Sequence, residues 1–189
     1  MLVGHVKGAR QDACKSGFWA RVAGQPEPVI AGTMAAEPLL IRGVLDRFRK
    51  LRGHIAVQKD YMAEVAAPRT QWWDRFQSAA PSVTVMKDAN GRPGWISVGA
   101  RAGDGCGEFI GEFWALWRVR MGADDNKPPV LTLLTDERDP GRFFEPRVGV
   151  DLDGDGKMEF IGNNGLLQSA GPILRESESI EVPNLDCPC

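Results

Sequence analysis

Residues 82–100, SVTVMKDANGRPGWISVGA, decide the fold. On either side of Asn90-Gly91, apolar and β-branched residues alternate with polar ones, which is the period-2 pattern of a half-buried strand. Asn-Gly is a strong signal for a β-hairpin turn, because both residues tolerate a positive φ. The stretch therefore predicts two antiparallel strands, with the two valines of the first on one face and the second running over residues 95–100.

The same texture continues to the C-terminus, where Gly, Asn, Asp and Pro recur as turn signals. Six further strands are predicted, over residues 113–119, 130–134, 147–151, 158–161, 165–169 and 179–182. The first of these is ambiguous, because its aromatic residues also recur at helical spacing. On a strand, Phe113 and Trp117 would face the core. Trp114 would then point to the other side, where a second sheet or the helices are expected to cover it. The less favoured alternative is an exposed Trp114 that stacks on a sugar ring.

The residues before Pro81 favour helices. The first predicted helix has apolar residues at spacings of four, four and three, which places them on one face: Leu40, Val44, Phe48 and Leu51. Pro38 suits its first turn and Gly53 suits its exit. A second helix is predicted over residues 55–66, and a short third one near residue 72. The inward residues of the second helix are predicted to be Tyr61, Met62 and Val65. The third helix would hold Trp72, Trp73 and Phe76.

These segments predict an α+β fold in which N-terminal helices pack on a mostly antiparallel β-sheet. A chain of 189 residues is long enough to bury a sizeable core within one globular domain. Along the chain we expect a partly irregular N-terminal segment (1–36), a helical region (37–80) and a β-rich region (81–189). No internal repeat at a period of about 20 to 50 residues is visible, so neither a solenoid nor a propeller is expected.

Charge and hydropathy argue against nucleic acid and a membrane span as partners of this chain. The formal charge is -2, from 23 Lys+Arg against 25 Asp+Glu, so no broad attraction to nucleic acid is expected. No apolar run approaches the roughly 20 residues that a membrane-spanning helix needs. The candidate partners that remain are a cell-surface glycan or a protein.

An Asp-rich stretch carries the one recognisable chemistry. Residues 150–160, VDLDGDGKMEF, place carboxylates at positions 1, 3, 5 and 9 of a tight loop. Calcium takes six to eight oxygen ligands in a flexible cage, and alternating Asp residues supply them. The predicted calcium ligands are the side chains of Asp151, Asp153, Asp155 and Glu159 and the backbone carbonyl of Lys157.

The surrounding residues define the kind of loop. Gly154 and Gly156 allow a positive φ between the ligands. An EF-hand would need a bidentate Glu at position 12, which is Gly162 here. The alternative is an ordinary Asp-Gly hairpin with solvated carboxylates. Two carboxylates about 5 Å apart repel by roughly 1 kcal/mol in water and about 3 kcal/mol near a protein surface, which favours a bound cation.

Residues 150–161 resemble the calcium hairpin of the FG-GAP family, the integrin-type and bacterial surface-protein repeat. In that repeat one strand enters D-x-D-x-D-G-x-x-[DE] and another strand leaves. The resemblance implies the same five ligand positions. Tandem copies of the repeat build a seven-bladed propeller, whereas this chain has a single copy, so an integrin-like ligand role is not implied.

The C-terminal half also resembles an uncharacterised group of predicted secreted bacterial proteins. The stretches that carry this likeness are GCG at 105–107, WALW at 114–117, VDLDGDG at 150–156 and LDCPC at 185–189. The resemblance implies export and carries no mechanism.

Four cysteines, an even number, also favour an oxidising compartment: Cys14, Cys106, Cys187 and Cys189. A disulfide between Cys187 and Cys189, across Pro188, would be strained. These two cysteines are therefore expected to pair with Cys106 and Cys14. Free thiols are the first alternative, and a zinc site is less favoured still, because no C-x-x-C pair is present. The first eighteen residues lack the apolar core of a secretory signal, yet an extracellular, surface or periplasmic location is expected.

No G-x-S-x-G elbow, H-E-x-x-H motif or phosphate-binding loop is present, so no catalytic residue is assigned. We expect a non-enzymatic extracytoplasmic domain with a structural calcium site. Two alternatives come from other classes. One is a calcium-stabilised hydrolase of polysaccharide or cell-wall material, and the other is a carbohydrate-binding module that uses Trp114.

Overall fold

The structure is a computed structural model that describes residues 29–65, 71–103, 107, 109–122, 128–137, 145–151, 155–162, 165–170 and 173–179. In chain order its elements are β1 (Val29–Ala31), β2 (Thr33–Met34), α1 (Pro38–Phe48), α2 (Arg52–Glu64), a 3-10 helix (Trp73–Ser78), β3 (Ser82–Lys87), β4 (Pro93–Ala102), β5 (Gly111–Arg120), β6 (Val130–Glu137), β7 (Val148–Asp151), β8 (Glu159–Ile161), β9 (Gly165–Ala170) and β10 (Ile173–Ser179).

The strands form two antiparallel five-stranded sheets within the described part of the chain. Sheet I has the order β1-β7-β8-β9-β10, and sheet II has the order β2-β3-β4-β5-β6. The predicted α+β class is confirmed, although a single sheet was expected. The N-terminal segment (1–36), predicted to be partly irregular, contributes one short strand to each sheet. Gly32 alone separates these two strands, and its carbonyl accepts the N–H of Lys87 at 2.8 Å.

Sheet II is the middle layer of the domain. One of its faces packs on the helices, through a cluster that includes Phe48, Tyr61 and Trp117. The other face packs on sheet I, where Trp95, Trp114 and Leu116 meet Ala31 and Phe160. As a result, β4 is buried continuously over residues 94–100 and β5 over residues 111–117.

The hairpin predicted around Asn90-Gly91 is confirmed. β3 and β4 pair antiparallel, with Val85 opposite Ile96, and Gly91 has a φ of 74°. The Asp88 carboxylate accepts the N–H groups of Asn90 and Arg92 at 2.9 and 3.0 Å, which holds the turn. Val83 and Val85 both pack into the helix-facing core, as their spacing predicted.

The ambiguous stretch 113–119 is a strand and forms the centre of β5. Four of the other predicted strands appear with small changes at their ends, as β6, β7, β8 and β9. β10 was not predicted. Of the strand expected over residues 179–182, only Ser179 is described, as the end of β10.

The helical region differs from the prediction at the break between its two helices. α1 begins at Pro38 as predicted but ends at Phe48, and Gly53 lies in the first turn of α2 rather than at the exit of α1. Gly53 lies directly against the ring of Phe113, so the glycine here allows close packing of α2 on β5 and does not mark a helix end. Tyr61 and Val65 are buried as predicted, but Met62 is 48% exposed, so its predicted inward position is wrong.

The residues that face inward on α2 are His54, Val57 and Tyr61. They recur at spacings of three and four, which is the ordinary helical pattern. Met62 follows Tyr61 directly and therefore points about 100° away from it. Including His54 among the inward residues would have predicted the correct face.

Candidate functional site

The Asp-rich stretch lies at the end of a hairpin in sheet I. β7 and β8 pair antiparallel, with Gly149 opposite Phe160 and Val150 opposite Glu159. Asp151 ends β7 and Glu159 begins β8, so the predicted calcium loop is the connection between two paired strands. This is the strand–loop–strand arrangement that the spacing predicted.

Asp151 is held at the junction of three strands. It pairs with Val29 of β1 across one edge, and it is only 7% exposed. Its Oδ2 atom accepts the backbone N–H of Gly156 at 3.0 Å. Gly156 has a φ of 80°, a conformation that favours glycine, as predicted for this position. The carboxylate of Asp151 is therefore directed toward the loop that follows it.

Glu159 brings a second carboxylate into the hairpin and is 6% exposed. Phe160, the next residue, is packed in the core between the two sheets, with Met158 partly buried against it. Burial of a carboxylate is costly unless hydrogen bonds or a cation compensate it. Asp151 and Glu159 thus place two buried carboxylates at the two ends of the same loop.

Asp155 and Lys157 lie on the exposed part of the loop. Oδ2 of Asp155 is 2.7 Å from the ammonium nitrogen of Lys157, and Oδ1 accepts the backbone N–H of Lys157 at 2.8 Å. The sequence predicted a role for the carbonyl of Lys157 and none for its side chain. In the structure, that side chain contacts one of the predicted ligands.

The described residues alone do not form a complete set of calcium ligands. Asp153, the central predicted ligand, lies outside the described residues, together with Leu152 and Gly154. Among the residues that are described, no group of three His, Cys, Asp or Glu side chains is positioned to hold a metal ion. The donor atoms predicted from this loop are all oxygen, the type that a hard cation such as calcium takes, and Asp151 accepts the N–H of Gly156 across the loop.

A second polar cluster lies buried between the helices, and the sequence did not predict it. Asp74, in the 3-10 helix, accepts two hydrogen bonds from the Arg49 guanidinium, at 2.9 and 3.2 Å. Its Oδ2 atom is also 3.3 Å from Nε2 of His54. Burial alone would raise the pKa of the Asp74 carboxyl. The hydrogen bonds and charges of His54 and Arg49 outweigh burial and hold that pKa below its ordinary value.

Aromatic rings enclose this cluster. His54 has ring centroids at 5.1 to 6.2 Å on several sides, from Phe48, Trp72, Trp73 and Phe113. The Arg49 guanidinium lies 5.7 Å from the Trp72 ring centroid. The cluster links α1, α2 and the 3-10 helix, and its His54 and Asp74 side chains are fully buried.

A third cluster anchors the segment that leads into β7. Glu145 is buried, its Oε1 atom lies within hydrogen-bond reach of the Ser82 hydroxyl, and Arg147 pairs with its Oε2 atom at 3.1 Å. The Ser97 hydroxyl donates to the carbonyl of Pro146. These contacts attach the segment before β7, in sheet I, to β3 and β4 of sheet II. Their role is structural.

Trp114 is not available as a stacking platform, because it is 2% exposed and packs beneath sheet I. The second sheet thus covers the face that a sugar would have used. Cys14, Cys106, Cys187 and Cys189 all lie outside the described residues, so their pairing stays a prediction. Within the described ranges no helix combines the length and hydropathy that crossing a bilayer requires.

Comparisons with known proteins found no match to this chain among family models, curated proteins or solved structures.

Proposed function

We propose that this chain is an extracytoplasmic domain, secreted or surface-anchored, in which the β7–β8 hairpin holds a structural calcium ion. Its role would be non-enzymatic binding or structural support. The observation that carries the proposal is the position of Asp151. This carboxylate ends a strand, is almost fully buried, and binds the N–H of Gly156 across the Asp-rich loop.

The ligands would be the five predicted from the spacing. Asp151 and Glu159 would bind from the two strand ends, Asp153 and Asp155 from within the loop, and Lys157 through its carbonyl. Calcium would neutralise carboxylates that otherwise repel one another. The regular spacing of the four acids supports this assignment over an ordinary hairpin.

A structural role follows from what surrounds the loop. Asp151 pairs with Val29 of β1, and Phe160 packs between the two sheets next to Glu159. An ion bound here would brace the β7–β8 register and the attachment of β1 at the edge of sheet I. His54, a potential general base, is fully buried and its Nε2 atom lies 3.3 Å from Asp74, which supports a binding or structural role over catalysis.

The extracytoplasmic location rests on two features of the sequence. Loops of this kind suit calcium-rich compartments, and four cysteines favour an oxidising one. In such a compartment the exposed surface would meet a cell-surface glycan or a protein.

The test is thermal unfolding at pH 7 in excess calcium and in EDTA. Binding to the folded state stabilises it by RT ln(1 + [L]/Kd), about 1.4 kcal/mol at a tenfold excess over Kd. Asp153→Ala and Asp155→Ala should abolish the rise in Tm. Asp46→Ala, on the exposed side of α1, is the matched control and should keep it. Equal melting curves in calcium and EDTA, with no ion found by elemental analysis, would leave a plain Asp-Gly hairpin.

A further inference from the structure

The side chain of Lys157 lies on one of the proposed calcium ligands. Its ammonium nitrogen is 2.7 Å from Oδ2 of Asp155, while its own backbone N–H binds the other oxygen at 2.8 Å. One residue therefore contacts both oxygens of the Asp155 carboxylate. The distance to the ammonium group is that of a charge-assisted hydrogen bond.

An ammonium group and a calcium ion bind a carboxylate oxygen through the same lone pairs, and both carry positive charge. A calcium ion approaching Oδ2 of Asp155 therefore meets a site that a cation from the same chain already holds. The Lys157 side chain is 60% exposed and sits on a flexible four-carbon stem. It can leave the carboxylate without disturbing the core.

We propose that Lys157 is a built-in competitor for calcium, an inference that rests on the proposed calcium site. In calcium-free protein its ammonium group neutralises Asp155 and holds the loop. When calcium binds, the ammonium group leaves Oδ2 while the carbonyl of the same residue joins the ligands. The lysine raises the calcium concentration needed to saturate the hairpin. It therefore sets the range of calcium concentrations over which the site binds the ion.

The first experiment measures calcium affinity by titration calorimetry in wild type, Lys157→Met and Lys157→Arg. Exposed ion pairs contribute little, so the Kd of Lys157→Met should fall about 1.5- to 5-fold. Lys157→Arg keeps a competing cation and should stay close to wild type. Lys59→Met removes an exposed lysine from α2, across sheet II from the hairpin, and should leave the Kd unchanged.

The second experiment follows the amine itself. Acetylation of the native protein, read by mass spectrometry, should label Lys157 faster in saturating calcium than in EDTA, because the freed amine is more accessible. Lys50, Lys59 and Lys87 provide internal controls in the same sample and should not change.

The two ways of failing are distinct. If calcium binds to wild type but Lys157→Met has the same Kd and the Lys157 labelling rate is unaffected by calcium, the competitor role is wrong and the calcium site stands. If no variant binds calcium, the proposed site is wrong, and the competitor role with it.

Discussion

Nε2 of His54 lies 3.3 Å from Oδ2 of Asp74, and both side chains are fully buried. Arg49 binds the same carboxylate through two nitrogens, from the end of α1. Three consecutive elements of the helical layer thus meet at one charged group. Because a buried carboxylate without partners is costly, the three residues stabilise the layer only as a set.

Asp74→Asn should therefore strongly destabilise the domain. Removing one partner of a buried ion pair typically costs about 3 to 5 kcal/mol, because the remaining charge is left unpaired. Urea unfolding at pH 7 measures the loss. Asp46→Asn, at an exposed position of α1, is the control and should change stability by less than about 0.5 kcal/mol. Equal midpoints for the two variants would show that the buried cluster contributes nothing.

The Asp74 carboxyl also predicts a pH dependence. Its pKa in the folded protein is below the ordinary value of 3.8, so the unfolded chain binds this proton more readily. The stabilisation is therefore complete above the unfolded pKa and is lost as the pH falls through the folded pKa. The difference in unfolding free energy between wild type and Asp74→Asn should be constant from about pH 5 to 7 and shrink below about pH 4. A difference that grows on acidification would contradict this assignment.

Two helical glycines form a matched pair for testing helix packing. A Cβ on Gly53 would lie 2.3 Å from Cε2 of Phe113, whereas a Cβ on Gly43 would meet nothing within 4 Å. Gly53→Ala should destabilise by about 1 to 3 kcal/mol through overpacking. Gly43→Ala should stabilise by up to about 1 kcal/mol, since alanine is the better helix former. Thermal unfolding measures the stability of both variants relative to wild type. A change of the same sign in both would refute the packing argument.

Trp114 and Trp72 should respond differently to truncation. Trp114 is 2% exposed between the sheets, and Trp72 is 42% exposed beside Arg49. Trp114→Ala should cost about 3 to 5 kcal/mol by leaving a cavity, and Trp72→Ala clearly less. Chemical denaturation measures both. A fully stable Trp114→Ala protein would mean that sheet I does not cover this face as described.

Local signals in the sequence predicted the fold best. Asn90-Gly91 and the alternation around it predict the β3–β4 hairpin, because the information lies within a few residues. β5 could not be assigned as strand or helix, since burial on both faces removes the alternation that marks a half-buried strand. The division of the strands between two sheets was not predicted, because pairing of strands far apart in the sequence, such as β1 with β7, leaves no local signal.

The candidate sites likewise differ in whether their residues are close together in the sequence. The β-type residues on either side of Asp151, Asp155 and Glu159 predicted a hairpin that the structure contains, whereas the calcium binding inferred from the spacing of the acids stays a prediction. His54 and Asp74 are twenty residues apart and meet only after the helices have packed, so no motif could reveal them. The ion pair of Lys157 with Asp155 was missed because the spacing argument treated that lysine only as a carbonyl.

The continuous burial of β4 and β5 also constrains how this domain can vary. Every side chain over residues 94–100 and 111–117 has to suit either the helices or sheet I, so neither stretch has a position open to free substitution. Variation that leaves the fold intact is therefore expected mainly on the outer helix faces, the edge strands and the loops. A library randomised at those places should retain folded members, whereas one randomised within β4 and β5 should lose nearly all of them.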